Sequence, residues 1–341
     1  MKAVRLHEPG SVEGYVYEDA PDPSPGAGEV LVRVRAVALN HLEAWAAKMP
    51  AGRSQPPRIL GSDVAGVVAG IGAGVEGPRE GDEVLLHPGV SCGRCEACLG
   101  GEDNLCPRYH LLGQGRDGGM AEYVAVPAAN IAPKPKALSF EEAASVPLVF
   151  TTALHMILTR AQLRYGETVL VNAAGSGVGV AAIQVAKLHD AHVIASAGSD
   201  PKLEKARQLG ADEVINYTTH DLAEEARRLT GGRGVDMVVE NVGTEIFEKS
   251  VRALARNGRV VTCGATSGQD ATLNVTRFFL AQQTIYGSFM GTKAELLRYL
   301  PCFEDGRLRA VVDRVYPLAD ARQAITRLLH REQFGKIVLV P

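Results

Sequence analysis

The stretch TVLVNAAGSGVGVAAIQ, residues 168–184, passes from an unbroken apolar run through a glycine-rich turn into an apolar helical pattern. A run such as Thr168–Val171, with no polar alternation, is what a parallel strand covered on both faces requires. Gly177-x-Gly179-x-x-Ala182 fits the dinucleotide fingerprint, where small residues let the backbone turn sharply and approach a pyrophosphate. Ser176, Gly177, Val178 and Gly179 are therefore the candidates to cradle that group, with the free N–H groups and dipole of the following helix supplying the attraction.

Outward from this turn the same rhythm continues. HVIASAG, KLEKARQL and EVINY follow in order, then Asp236–Val242, a helix near Glu245–Ala255, a strand at Arg259–Gly264 and another near Ile285–Met290. Alternation of buried strand and helix predicts a doubly wound parallel sheet of six strands, placed at 151–290. Before it, residues 1–150 carry short β-type runs such as Val30–Val37 and Asp82–Leu86, broken by Gly and Pro, which predicts a turn-rich β domain. After it, residues 291–341 hold a helix at Lys293–Leu300, the stretch Arg309–Tyr316, an amphipathic stretch at Ala319–Leu329 and the strand KIVLV. That tail is expected to return to the first domain.

The second strand of a dinucleotide fold ends where the cofactor's 2′ group is chosen. Here stands AGSDPKLEKA, with Ser199 and Lys202 able to donate to a phosphate and Asp200 the one acid able to accept from a ribose hydroxyl. A 2′-phosphate needs donors and positive charge, so NADPH is expected ahead of NADH.

Cys92, Cys95, Cys98 and Cys106 stand as C-x2-C-x2-C-x7-C in the segment about 90–107. Four thiolates at this spacing suit one structural Zn²⁺ per chain, a closed set that leaves no position for water or substrate. An iron–sulfur cluster, or two disulfides in a secreted chain, would use the same spacing. Cys263 and Cys302 are read as idle thiols.

The 36 Lys and Arg against 39 Asp and Glu, without a dense basic run, argue against nucleic acid as a partner. No apolar stretch is long enough to span a bilayer, and the polar N-terminus lacks a signal-peptide core, so a cytoplasmic enzyme with no membrane partner is expected. The strand near Ile285–Met290 falls at a sheet edge, which predicts a homodimer or homotetramer.

A four-cysteine lobe in an N-terminal β domain, followed by a nucleotide-binding sheet, resembles the medium-chain dehydrogenase/reductase superfamily, whose first domain is GroES-like and whose second is a Rossmann domain. The resemblance runs over essentially the whole chain. The superfamily's alcohol dehydrogenases hold a catalytic zinc on a Cys in C-x-[ST]-D, on the His-Glu of G-H-E and on a cysteine near the domain junction. This chain departs at each: Asn40-His41-Leu42-Glu43 aligns with the first motif, Gly61-Ser62-Asp63 with the second, and SVPLVFTTALHM has no cysteine.

The strings AVALNHLEAW, GSDVAGVV, VNAAGSGVGVAAIQ and GADEVINY look like the quinone oxidoreductase branch, although many of its members lack the zinc lobe. In the superfamily's register the turn glycines fall on Ala174, Ser176 and Gly179. The resemblance implies that Ser199, Lys202 and Tyr217 grip a 2′-phosphate. It also implies that Asn40, Thr152, Asn241, Gly264, Phe289, Met290 and Lys336 line the nicotinamide half.

Reduction of an unactivated carbonyl concentrates charge on one oxygen and favours a metal, whereas a conjugated acceptor spreads it. A reductase of quinones or α,β-unsaturated carbonyls is therefore expected, its substrate a quinone, enone or aldehyde. Asn40, His41 and Thr152 are candidates to orient or protonate it, and Trp45 is a weaker candidate for a pocket wall. Two alternatives stand beside this reading: an alcohol dehydrogenase with an atypical metal at His41 and Asp63, and an NADPH-binding protein without catalysis.

Overall fold

The computed structural model describes residues 1–46 and 56–341. The chain divides into two compact units, Met1–Leu148 with Thr292–Pro341, and Val149–Gly291. Among the described residues no helix is long and apolar enough to cross a membrane.

The first unit is built on a seven-stranded sheet whose organising strand is Glu29–Ala38. Its side chains alternate, with Val30, Val32 and Val34 buried between more exposed neighbours, as period-2 geometry demands of a strand with one wet face. It pairs antiparallel with Asp63–Ile71, Tyr123–Pro127 and the terminal strand Lys336–Val340. A three-stranded sheet, Tyr15–Asp19 beside Lys2–Leu6 beside Arg58–Ile59, packs into the same apolar cluster. The helix Ala321–Leu329 covers that cluster with Ala324, Ile325 and Leu328.

Register does the work of placing residues. Ala38 faces Asp63 on one side and Val338 on the other. In the antiparallel pair, two residues onward from Ala38 is Asn40 and two residues back from Val338 is Lys336, so the pairing carries these two positions opposite each other. Arg309–Tyr316 contributes the strand Val312–Pro317, parallel to the terminal strand.

The second unit holds six strands, all parallel, in the order Glu213–Asn216, His192–Ala197, Thr168–Val171, Val235–Glu240, Leu254–Thr262, Thr284–Gly287. This is a doubly wound Rossmann sheet, and with the β-rich GroES-like unit it makes the α/β fold the sequence predicts. The order reverses between Thr168–Val171 and Val235–Glu240, and ligands of such sheets sit outside the carboxyl ends of the strands at that point. Several element ends differ from expectation, among them the edge strand near Ile285–Met290, which is Thr284–Gly287 and leaves Phe289 and Met290 beyond it. The helix near Glu245–Ala255 is the shorter Phe247–Ala253, because Leu254 already pairs with Val235 and starts a strand that ends at Thr262 rather than Gly264.

Candidate functional site

The glycine turn lies at that reversal. Ala173 takes a left-handed φ of 48°, and the turn closes with Ser176 N donating to Ala173 O. Ser176 then caps the helix Gly177–Leu188, its Oγ accepting from Gly179 N at 3.0 Å. A Cβ on Gly179 would stand 2.3 Å from Ala173 O, so only glycine lets the helix start this close to the turn. The first N–H groups of the helix have no intrahelical acceptor and face the carboxyl end of the sheet. Asn241 Nδ2 donates to Ser176 Oγ at 3.1 Å, which brings two of the predicted cofactor residues together. This cradle fits a dinucleotide pyrophosphate.

Two supports of the cradle escaped the sequence reading. Asn172 is fully buried at the end of Thr168–Val171 and ties the strand His192–Ala197 to the helix Phe247–Ala253, donating to Ser250 Oγ at 2.8 Å and accepting from Ser196 Oγ at 3.0 Å. Glu240, also fully buried, accepts from Val242 N at 2.7 Å, Gly243 N at 3.1 Å and Thr262 Oγ1 at 3.2 Å. Burial raises its carboxyl pKa against these bonds. It thereby shapes the turn that carries Asn241, and a Cβ on Gly264 would stand 2.9 Å from Asn241 O. A polar residue closing each apolar strand was the only available signal for either.

At the end of His192–Ala197, Ser199 precedes the helix Asp200–Gln208 in extended conformation and makes no side-chain cap bond. Lys202 is half-buried in the first turn, and the Tyr217 hydroxyl stands against Gly198, where a Cβ would be 2.8 Å from it. Asp200, the acid able to serve a free ribose, accepts from Asn216 Nδ2 at 2.7 Å. Further along the same unit Thr152 Oγ1 donates to Met290 Sδ at 3.8 Å; Met290 is buried with φ 54°, and Phe289 is 60% exposed.

In the first unit, Asn40, Asp63 and Lys336 meet, all three buried. Lys336 Nζ donates to Asn40 Oδ1 at 2.5 Å and to Asp63 Oδ2 at 2.8 Å, and Asn40 Nδ2 donates to Asp63 Oδ2 at 2.9 Å. Asp63 Oδ1 accepts from Leu148 N at 2.8 Å. Asn40 directly precedes the helix His41–Ala46, where an Asn side chain usually turns in to cap the first N–H groups. Here it is diverted to the ion pair, and Glu43 instead reaches back to accept from Asn40 N at 2.7 Å.

Glu43 is buried, and burial pushes its carboxyl up to about 7 against the pull of that backbone N–H and of Lys336. Ser62 Oγ, in the segment Gly61-Ser62-Asp63, donates to Leu112 O at 2.9 Å. His41 and Trp45 are ring neighbours at 6.4 Å on the same short helix.

Cys92, Cys95, Cys98 and Cys106 come together around the short helices Glu96–Leu99 and Asp103–Leu105, their Sγ atoms all within 4.8 Å of one another. Cys95 and Cys98 sulfurs are 3.5 Å apart, and Cys92 and Cys98 sulfurs 4.0 Å. A tetrahedral ion bound at about 2.3 Å needs sulfurs separated by about 3.8 Å, so the set fits. Cys92 N and Arg108 N both point at Cys106 Sγ from 3.4 Å, as they would at a thiolate. Among the described residues this is the one group of three or more His, Cys, Asp or Glu side chains arranged to hold a metal.

Comparison with known proteins agrees with this geometry. Residues 26–136 match the alcohol dehydrogenase GroES-like domain family and residues 177–305 the zinc-binding dehydrogenase family. The chain is similar over its full length, and that of the relative, to a NAD-dependent alcohol dehydrogenase of Sulfurisphaera tokodaii at 32% identity. An acryloyl-coenzyme A reductase of the same organism is likewise 32% identical, with both chains fully covered. A solved structure described as a NAD-dependent alcohol dehydrogenase superposes with a TM-score of 0.96 at 50% identity, again covering both chains completely. With a GroES-like unit, a cysteine lobe and a six-stranded dinucleotide sheet all in place, the chain belongs to the medium-chain dehydrogenase/reductase superfamily and is an oxidoreductase of that group.

Proposed function

We propose that the protein reduces conjugated carbonyl compounds, quinones or α,β-unsaturated carbonyls, with NADPH and without a catalytic zinc, and that one zinc braces its cysteine lobe. The observation that carries this reading is the occupancy of the positions where such enzymes hold a catalytic metal. Asn40 stands for the cysteine, Ser62 for the histidine, and Asp63 has its oxygens taken by Lys336, Asn40 and Leu148 N. A cation is present there, but it is an ammonium held by its own partners.

When bound, the reduced nicotinamide supplies a hydride equivalent to the electrophilic carbon of the acceptor. The chain's residues bind and polarise. Ser176, Gly177, Val178 and Gly179 hold the pyrophosphate; Ser199, Lys202 and Tyr217 surround the 2′-phosphate. The donors Ser199 and Lys202 at the end of His192–Ala197 support NADPH, because a 2′-phosphate needs hydrogen-bond donors and positive charge. Asn40 donates its remaining Nδ2–H to the acceptor oxygen. Conjugation spreads the charge arriving there, so one neutral donor and a solvent proton suffice. His41 and Thr152 remain candidates to orient the substrate.

The acryloyl-coenzyme A reductase among the relatives acts, by its name, on such a conjugated acceptor and supports this chemistry. The relatives named NAD-dependent alcohol dehydrogenases favour a second reading, an alcohol dehydrogenase that uses NAD, for which the sequence offers His41 and Asp63 as metal ligands. Purified protein separates the two. On the first reading NADPH is consumed with menadione or an enone, ethanol with NAD is inert, and metal analysis finds one zinc per chain; the opposite pattern with two zincs establishes the second. Tight NADPH binding without turnover across the panel would leave a non-catalytic nucleotide-binding protein.

Self-association belongs to the same proposal. Thr284–Gly287 is an edge strand, and the helix before it, Val275–Leu280, exposes Val275, Phe279 and Leu280 at 64%, 59% and 60%.

A further inference from the structure

A side-chain amide can be seated in two ways that differ by a half-turn about its last bond, and the neighbours of Asn40 permit only one. Lys336 offers donors alone, and the carboxylate of Asp63 offers acceptors alone. Asn40 Oδ1 must therefore face Nζ, at 2.5 Å, and Nδ2 must face Asp63 Oδ2, at 2.9 Å, while Nζ and Oδ2 are themselves 2.8 Å apart. The three groups close a triangle in which the amide has one group to spare, the second Nδ2–H, which has no partner among the described residues. Lys336 and Asp63 are 4% and 0% exposed at the side chain, so water screens neither the ion pair nor its pull on the amide.

We infer that Asp63 and Lys336 are positioning residues that fix Asn40 as a hydrogen-bond donor, and that the Lys336 ammonium, drawing electron density from Asn40 Oδ1, sets how much charge the acceptor oxygen can carry. This rests on the preceding reading of Asn40 as the donor to a conjugated acceptor, and it adds the device that orients and strengthens it. Hydrogen-bonded chains polarise one another, so a cation on the oxygen side makes the N–H on the far side a better donor. The consequence is a substrate preference. Acceptors that leave more charge on a single oxygen, enones and enoyl thioesters, depend on Lys336 more than quinones, which spread charge over a ring.

Two variants test this. Lys336→Met removes the ammonium but strands a buried carboxylate and can unfold the unit; Asp63→Asn with Lys336→Met leaves no charge unpaired and still offers an acceptor to Asn40 Nδ2. The first readout needs no activity: the side-chain amide of Asn40 in ¹H–¹⁵N spectra, identified by its disappearance in Asn40→Asp. In the parent protein its two protons are expected far apart in shift and slow to exchange with water; in the double variant they draw together and exchange at least tenfold faster. The second readout is kcat along a series from quinone to enone. The enone-to-quinone ratio is expected to fall about tenfold in the variants, with KM for NADPH within threefold, and Lys336→Arg to recover part of the ratio.

An unchanged amide signal overturns the inference whatever the activity. A freed amide with the same proportional loss on every acceptor overturns the role of the ammonium. An amide that responds as expected in a protein that reduces no conjugated acceptor upholds the positioning and refutes the proposed reaction instead.

Discussion

Replacing Glu43 by Gln removes a buried carboxyl whose ionisation the fold opposes, and the size of the effect follows from its surroundings. Burial lifts this group from an ordinary 4.5 to about 7, with the Asn40 N–H and the Lys336 charge only partly offsetting the loss of hydration. Because the folded-state value is the higher one, the folded chain holds the proton more tightly than the unfolded chain. The favourable contribution is complete below pH 4.5, declines as pH rises, and is gone above about 7. A shift of about 2.5 units corresponds to roughly 3 kcal/mol.

Gln keeps the acceptor that Asn40 N uses and cannot ionise. In a unit of this size each kcal/mol moves the melting temperature by about 2–4 °C. About 2.5 kcal/mol of the favourable contribution is lost between pH 5 and pH 8, so the Tm of Glu43→Gln minus that of the parent should rise by roughly 5–10 °C over that range. Differential scanning fluorimetry across that range measures it. A difference that stays constant with pH would falsify the assignment of a neutral, buried Glu43.

Cys95→Ser should lose zinc and lower Tm by several degrees while the folded fraction still binds NADPH; loss of turnover with fold and cofactor binding intact would show that the lobe is more than structural. Lys202→Glu places like charge beside the 2′-phosphate, so KM for NADPH should rise at least tenfold with KM for NADH changed less than threefold, and equal changes for both would remove Lys202 from that site. Phe279→Asp together with Leu280→Asp should convert a dimer or tetramer to monomer in sedimentation experiments, and an unchanged mass would place the interface elsewhere.

Much of the architecture was legible because its signals are local. The central strands announce themselves as continuous apolar runs because helices cover both their faces, and the half-exposed edge strands Glu213–Asn216 and Thr284–Gly287 follow from the same strand–helix alternation. The glycine turn was legible for the same reason: a strand, a tight turn and a helix are contiguous, and the close approach of Gly179 to Ala173 O is a property of twelve neighbouring residues. Element ends were less legible, as at Leu254, where pairing with Val235 outweighs helical pattern.

The supports of the candidate site were not legible at all. Asn172 and Glu240 look like ordinary polar residues at strand ends, and nothing local says that one ties Ser196 to Ser250 and the other shapes the Asn241 turn.

The sequence alone determined the two kinds of domain, the cysteine spacing that gathers four sulfurs and the absence of familiar ligands at Asn40 and Ser62, since each is set by residues close along the chain. Only tertiary structure decided what Asn40 and Asp63 meet. Lys336 lies 296 residues from Asn40 and 273 from Asp63, and it reaches them because the last strand pairs antiparallel with Glu29–Ala38 in one register. A slip of a single residue would turn its side chain to the opposite face of the sheet. Register is a property of the assembled sheet, fixed by the apolar faces it buries, and no spacing within the sequence encodes it.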